Sequence, residues 1–258
     1  MIYSSLLHRC KRLLCRSRRK IYGARSLIPA WSEQHKFESM VGPLGFWDQL
    51  QEYQLNVLVQ HGLQPHHSLL DVGCGPLQGG VAFISYLKPG KYTGIDASTE
   101  KLEAAYLQIE RNGLAHKNPI LIHSLSFGKD ELGGKNFDFI WASQLLYYLD
   151  ESKLAELLEL ARDRLHENGL FICDIIGPQH YECREHEHGY CLHNVESLSE
   201  MAGRYGFCLA DRGEIMQYGY PSRLSLKTNR LLVLHNPSKP IPLPLSLTVM
   251  CSLTEVQV

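Results

Sequence analysis

The run SLLDVGCGPLQGG at residues 68–80 places an acid, Asp71, two positions ahead of a turn built on Gly73 and Gly75. A strand-like apolar segment leads into it, and the helix-compatible VAFISYL follows. Glycines in such a turn adopt backbone angles that other residues avoid, and they let a ligand approach the main chain closely. A strand, a glycine turn and a helix together form a cradle for a nucleotide-like ligand. A second acid, Asp96, stands 21 residues beyond Gly75 at the tip of the strand YTGID, where a carboxylate can accept both hydroxyls of a ribose. The stretch GPQHYECREHEHGYCLHN, residues 177–194, holds His180, Cys183, His186, His188, Cys191 and His193. Imidazole and thiolate are natural zinc ligands. The spacing H-x2-C-x2-H-x-H-x2-C-x-H nevertheless matches no paired zinc knuckle. Because the segment follows the fifth strand, it should overhang the carboxyl ends of the strands, where open α/β sheets bind ligands. The expectation is a substrate lid in which His180, His186 and His188 supply a base or hydrogen-bond donors, with no metal. Metal binding and a solvated polar loop are the alternatives.

The elements that must hold these residues alternate. FWDQLQEYQLNVLVQHGL has apolar residues at helical spacing, and SLLDV reads as a strand. A helix near 77–88 and the strand 92–96 come next. STEKLEAAYLQIERNGL then reads as a helix with Ser98 or Thr99 as N-cap and Gly113 as its stop. PILIH, FDFIWAS and LFICDII read as further strands, with a long helix across DESKLAELLELARDRL. Such alternation predicts a doubly wound, mostly parallel sheet with helices on both faces. After the helix VESLSEMAGRYGF, the strands FCLADRGEIM and RLLVLH are too close for a crossover helix, so the last pairing should be an antiparallel hairpin.

A nicotinamide or flavin dinucleotide would ask for G-x-G-x-x-G after the first strand, but Gln78 stands at the third glycine position. Asp71 is also unusual for such a site. Taken in order, LLDVGCGPLQGG, YTGIDAS, FDFIWASQLLYYL and LHENGLFICDI resemble the class I S-adenosylmethionine-dependent methyltransferases, across about residues 46–235. The resemblance implies a seven-stranded sheet with an antiparallel last strand and S-adenosyl-L-methionine as cofactor. It implies that Asp71 and the Gly73–Cys74–Gly75 turn hold the methionine part, that Asp96 and Ala97 flank the ribose, and that Ala142 and Ser143 line the floor. The acid often found after the third strand against the adenine amino group is missing, and HSLSF offers only Ser124 and Ser126 there. Tyr147 and Tyr148 occupy the place of a histidine pair common in small-molecule members, and Tyr148 joins the candidate catalytic set. The implied activity is methyl transfer to a small molecule or a glycan- or lipid-linked acceptor. A non-catalytic S-adenosylmethionine-binding module and, further off, a nicotinamide oxidoreductase are the competing readings.

The chain has 258 residues, 44% of them hydrophobic, and a formal net charge of −1. Residues 1–25 carry eight Lys/Arg and no acid, which leaves about −9 on the remainder. An acidic body argues against nucleic acid as partner. So does WASQ at the end of the fourth strand, where base-amine methyltransferases resembling this family carry an Asn/Asp-Pro-Pro-aromatic motif. Three regions are expected: a basic amphipathic arm over 1–40, a methyltransferase domain over 41–236 and a Pro-rich tail over 237–258. Within residues 1–20 an apolar stripe lies beside a cationic face, as in a helix at a lipid surface or in an organellar transit peptide. The eight cysteines are scattered and read as reduced thiols, so the expected location is cytoplasmic, with membrane attachment through the arm, or mitochondrial in a eukaryotic host.

Overall fold

Short apolar segments rich in Ile, Leu, Phe and Val, each followed by an amphipathic stretch, fold here as strands sandwiched between helices. The computed structural model describes residues 33–42, 44–176, 191, 193–224 and 229–239. In chain order the elements are α1 (Glu33–Val41), α2 (Trp47–Gln60), β1 (Leu69–Val72), α3 (Gly80–Tyr86), β2 (Tyr92–Asp96), α4 (Thr99–Arg111) and β3 (Ile120–His123). They continue with β4 (Phe137–Ala142), α5 (Glu151–Arg164), β5 (Leu165–Ile176), α6 (Val195–Arg204), β6 (Cys208–Glu214) and β7 (Asn229–His235). The sheet order is β3-β2-β1-β4-β5-β7-β6, and β7 runs antiparallel to both of its neighbours. The mostly parallel sheet is the one expected from the alternation, its antiparallel end is the one expected from the closely spaced last strands, and seven strands is the number the family resemblance implies.

Period-2 alternation sorts each central strand between two cores. Phe139 and Trp141 of β4 join Leu50, Tyr53, Val57, Phe83 and Ile84 under α2 and α3. Ile140 and Ala142 join Leu154, Leu157, Leu158, Leu198 and Ala202 under α5 and α6. Helix starts follow their caps: Ser98, Asp150 and Asn194 each accept from the backbone N–H three residues on. β5 begins earlier than its apolar run suggests. Its first residues pair with Phe137 across a bulge, since Phe137 faces Leu165 while Phe139 faces Leu170. α1 spans residues 33–41, so a boundary drawn at residue 40 passes through a helix. The rest of the basic arm, residues 1–32, and the tail beyond 239 lie outside the described residues.

Candidate cofactor and acceptor site

β1 and β2 run side by side, with Val72 opposite Ile95, so the turn after β1 and the acid ending β2 are neighbours. The backbone N–H groups of Gly73 and Cys74 both donate to the Ile95 carbonyl, at 2.8 and 3.0 Å. Gly75 N–H donates to Asp96 Oδ2 at 2.9 Å, and Ser98 N–H donates to Asp96 Oδ1 at 2.8 Å. Each carboxylate oxygen thus takes one backbone donor and keeps lone-pair capacity for another. Gly73 and Gly75 have φ of +75° and +53°, the left-handed region where a side chain is strained. A Cβ on Gly73 would also sit 3.1 Å from Leu145 Cδ1, and one on Gly75 would sit 3.1 Å from Val41 Cγ1 of α1. Gly79 and Gly80 serve packing instead: Cβ atoms there would drive into the Gln54 side chain and into Leu77 and Tyr92.

Asp71 is buried in β1 and accepts a 2.7 Å hydrogen bond from the Tyr92 hydroxyl. Burial pushes its carboxyl up to about 7; the Tyr92 bond opposes this, and the Asp96 charge adds to it. Cys74 turns its side chain into the core against Gly94, and burial raises its thiol well above the usual range. Its backbone N–H, bonded to Ile95, is what Cys74 contributes to the turn. The Ala97 carbonyl lies 3.1 Å from His123 Nε2, which ties the tips of β2 and β3 together. Ser124 Oγ accepts from the N–H groups of Ser126 and Gly128, at 3.2 and 2.9 Å, so it shapes the loop after β3.

The other half of the site stands at the tips of β4 and β5. Ala142 ends β4 fully buried, opposite Cys173. The next residue, Ser143, donates its hydroxyl to Asp174 Oδ2 at 2.6 Å. Gln144 donates to Asp174 Oδ1 twice, from its backbone at 2.7 Å and from Nε2 at 3.0 Å, while holding a φ of +54°. Its amide oxygen accepts from the Tyr220 hydroxyl at 3.3 Å. The Tyr53 ring meets Tyr220 edge-on at 5.1 Å. The buried Tyr53 hydroxyl feels the Asp174 charge but makes no hydrogen bond of ordinary geometry. Burial lifts the Asp174 carboxyl to about 6, against the pull of the Ser143 and Gln144 donors. Sequence reasoning named Ser143 but missed the rest of this cluster. Its signal was an acid within LFICDII, on the same inward face as Ile172, where an apolar residue is the rule.

Among the candidate catalytic residues, His180, His186 and His188 lie outside the described residues. The far end of their loop is described. Cys191 N–H donates to the Tyr147 carbonyl at 2.8 Å, and His193 Nε2 lies 3.1 and 3.0 Å from the carbonyls of Leu146 and Leu149. Cys191 and His193 therefore sit on the turn after β4. Tyr148 is 55% exposed, with its ring 4.4 Å from that of Tyr147. Among the described residues no cluster of His, Cys, Asp and Glu could hold a metal ion. No helix among them is long and apolar enough to cross a membrane.

The residues present fit an adenosyl cofactor. Asp96 is oriented with capacity left on both oxygens, and the adjoining turn has glycines where Cβ atoms would crowd Leu145 and Val41. Comparison with known proteins agrees. Residues 70–171 match the family of methyltransferase domains. An uncharacterised methyltransferase of Schizosaccharomyces pombe is 29% identical over 148 residues, covering 53% of this chain and 52% of the relative. The chain thus spans about half the length of that curated relative. The fold is shared with the CcbJ methyltransferase of Streptomyces caelestis (TM-score 0.56, 14% identity, 76% of this chain and 91% of that one). It is also shared with an S-adenosylmethionine-dependent methyltransferase of Clostridium acetobutylicum (TM-score 0.57, 15% identity, 88% and 99%). A third match is the glycopeptide N-methyltransferase MtfA, solved with S-adenosylmethionine (TM-score 0.56, 15% identity, 72% and 94%).

Proposed function

We propose that this protein, whose residues 70–171 match the family of methyltransferase domains, transfers a methyl group from S-adenosylmethionine to an acceptor that is a small molecule or a glycan- or lipid-linked group. The observation that carries the reading is Asp96. Its carboxylate is fixed by Gly75 and Ser98 N–H groups beside the glycine turn, so it is set to receive a ribose diol.

The cofactor, when bound, supplies a methyl group on a cationic sulfur with a good leaving group. What remains for the chain is to hold the acceptor in line and exclude water. The tips of β4 and β5 offer Ser143, Gln144 and Tyr220 as polar handles at the edge of an otherwise buried wall. An acidic body and the absence of an Asn/Asp-Pro-Pro-aromatic motif at WASQ favour an acceptor other than nucleic acid.

Calorimetric titration with S-adenosylmethionine, S-adenosylhomocysteine and NAD tests the cofactor, and heat with NAD alone would overturn the reading. Incubation with methyl-labelled cofactor and a cell extract, followed by mass analysis of labelled products, tests the acceptor class. Label recovered solely in nucleic acid would reject the acceptor proposed.

A further inference from the structure

Asp174 is a buried carboxylate, and the groups acting on it are hydroxyls and amides: Ser143, Gln144 and Tyr53. No described Lys, Arg or His forms an ion pair with it. A carboxylate in such a setting tends to become neutral unless a cation completes it. Here Ser143 and both donors of Gln144 hold the ionised form in reach, at 2.6 to 3.0 Å. In return Gln144 is kept at a φ of +54°, a conformation that persists only where the surroundings enforce it. The buried Tyr53 hydroxyl stands near it without a hydrogen bond of ordinary geometry. Among the described residues the arrangement is a buried negative site with no cationic side chain paired to it.

Its position suggests which cation completes it. The strand order places β2, β1, β4 and β5 in succession. A ribose held at the tip of β2 and a methionine chain laid along the turn after β1 would put the sulfur that joins them beside that turn, with β4 between it and β5 and two strand spacings, roughly 10 Å, to cross. At the tip of β4 Leu145 packs against Gly73, and Ser143 links directly to Asp174. Resting on the methyl-transfer reading, we propose that Asp174 is the counter-charge for the donor's cationic sulfur and makes the site prefer a cationic cofactor to its neutral product. Discharge of the sulfonium on transfer removes that attraction and favours product release.

The test compares three ligands of nearly one shape by calorimetry: S-adenosylmethionine, with a cationic sulfur; sinefungin, with an ammonium group in the same region; and neutral S-adenosylhomocysteine. All three share the amino-acid and ribose groups, so affinity ratios isolate the central charge. At pH 7.5 the native protein should bind both cations more tightly than S-adenosylhomocysteine. Asp174→Asn keeps the shape, and its amide can donate to Ser143 while its oxygen accepts from Gln144. It should reduce both ratios on the order of tenfold, as for a unit charge acting over roughly 10 Å at an effective dielectric near 20.

Lowering the pH to 5.5 should reduce the ratios in the native protein. Asp71 also titrates near this range, so the contribution of Asp174 is the part of the pH dependence that Asp174→Asn abolishes. Among the described residues the other titratable groups that feel Asp174 are Cys173, Tyr53, Tyr147 and Tyr220; all are raised by burial and stay neutral throughout. Ser143→Ala removes one donor and should move the midpoint to higher pH, an effect that a purely structural role does not produce. If Asp174→Asn fails to fold by thermal melt, the native and Ser143→Ala pH series decide. Equal affinity for cationic and neutral ligands in the native protein, or ratios untouched by Asp174→Asn, would overturn the proposal while leaving cofactor binding intact. Absence of binding by all three would instead refute the methyl-transfer reading, and the proposal with it.

Discussion

Replacing Asp96 with alanine should damage the apo protein as well as cofactor binding. Asp96 is buried, and its two oxygens accept the N–H groups of Gly75 and Ser98 at 2.9 and 2.8 Å. Asp96→Ala leaves both donors without their acceptor, and the Gly75 bond is buried. Hydrogen bonds to a charged group contribute roughly 1.5–3 kcal/mol each, and an orphaned buried donor costs about 1–3 kcal/mol. Water can rescue Ser98 more easily than Gly75, so a loss of ~2–4 kcal/mol is expected rather than the full sum. Urea unfolding followed by circular dichroism measures it. Asp96→Asn keeps one acceptor oxygen but turns an amide N–H toward the other donor, so it should fall between the alanine variant and the native protein. Affinity for S-adenosylhomocysteine should drop by roughly ten- to a hundredfold in Asp96→Ala, the equivalent of about one charge-assisted bond. The reasoning fails if Asp96→Ala unfolds at the native urea midpoint, because the turn would then hold itself without the carboxylate.

Gly73→Ala should cost about 1–3 kcal/mol in the same unfolding assay, since it combines a left-handed residue with displacement of Leu145. An unshifted midpoint would contradict the tight geometry of the turn. Gln54→Ala removes the acceptor of the buried Trp141 indole N–H at 3.0 Å and should cost about 1–3 kcal/mol, unless a bound water fills the gap, which a crystal structure of the variant would reveal. For Asp71 the folded carboxyl titrates at about 7 against an ordinary value of 3.8, so the folded state holds its proton more tightly. Stability therefore falls as pH rises from about 4 to about 7. Asp71→Asn, whose oxygen can still accept from Tyr92, should be more stable than the native protein at pH 8 by on the order of a few kcal/mol. That gain should vanish near pH 4 in thermal melts.

The cofactor half of the site was legible because its parts lie close along the chain. Asp71, Gly73, Gly75 and Asp96 fall on two consecutive strands, and parallel pairing of β1 with β2 brings them together automatically. The antiparallel end of the sheet was legible because the residues between the last two strands, with YGYPSR and KTN, are turn material with no pattern of a crossover helix. α1 was less legible because the cationic residues before it set the composition of the whole arm, while its packing on Trp47 and Ala104 through Phe37 is a tertiary fact.

The Asp174 cluster was hidden by distance. Tyr53 comes from the helix before β1, Gln144 from the turn after β4, Asp174 from β5 and Tyr220 from the approach to β7. Three of these do not mark themselves locally: the tyrosines read as core, and a glutamine after a strand reads as a turn. Only Asp174 breaks the pattern of its own strand. A charge placed on the inward face of a central strand must be compensated by groups that other elements bring to it. The part of a site that recognises a common ligand can be written in one short stretch, because a single turn of backbone grips it. The part that tunes charge at the reacting centre has to be assembled from many elements, since donors must reach a buried group from every side.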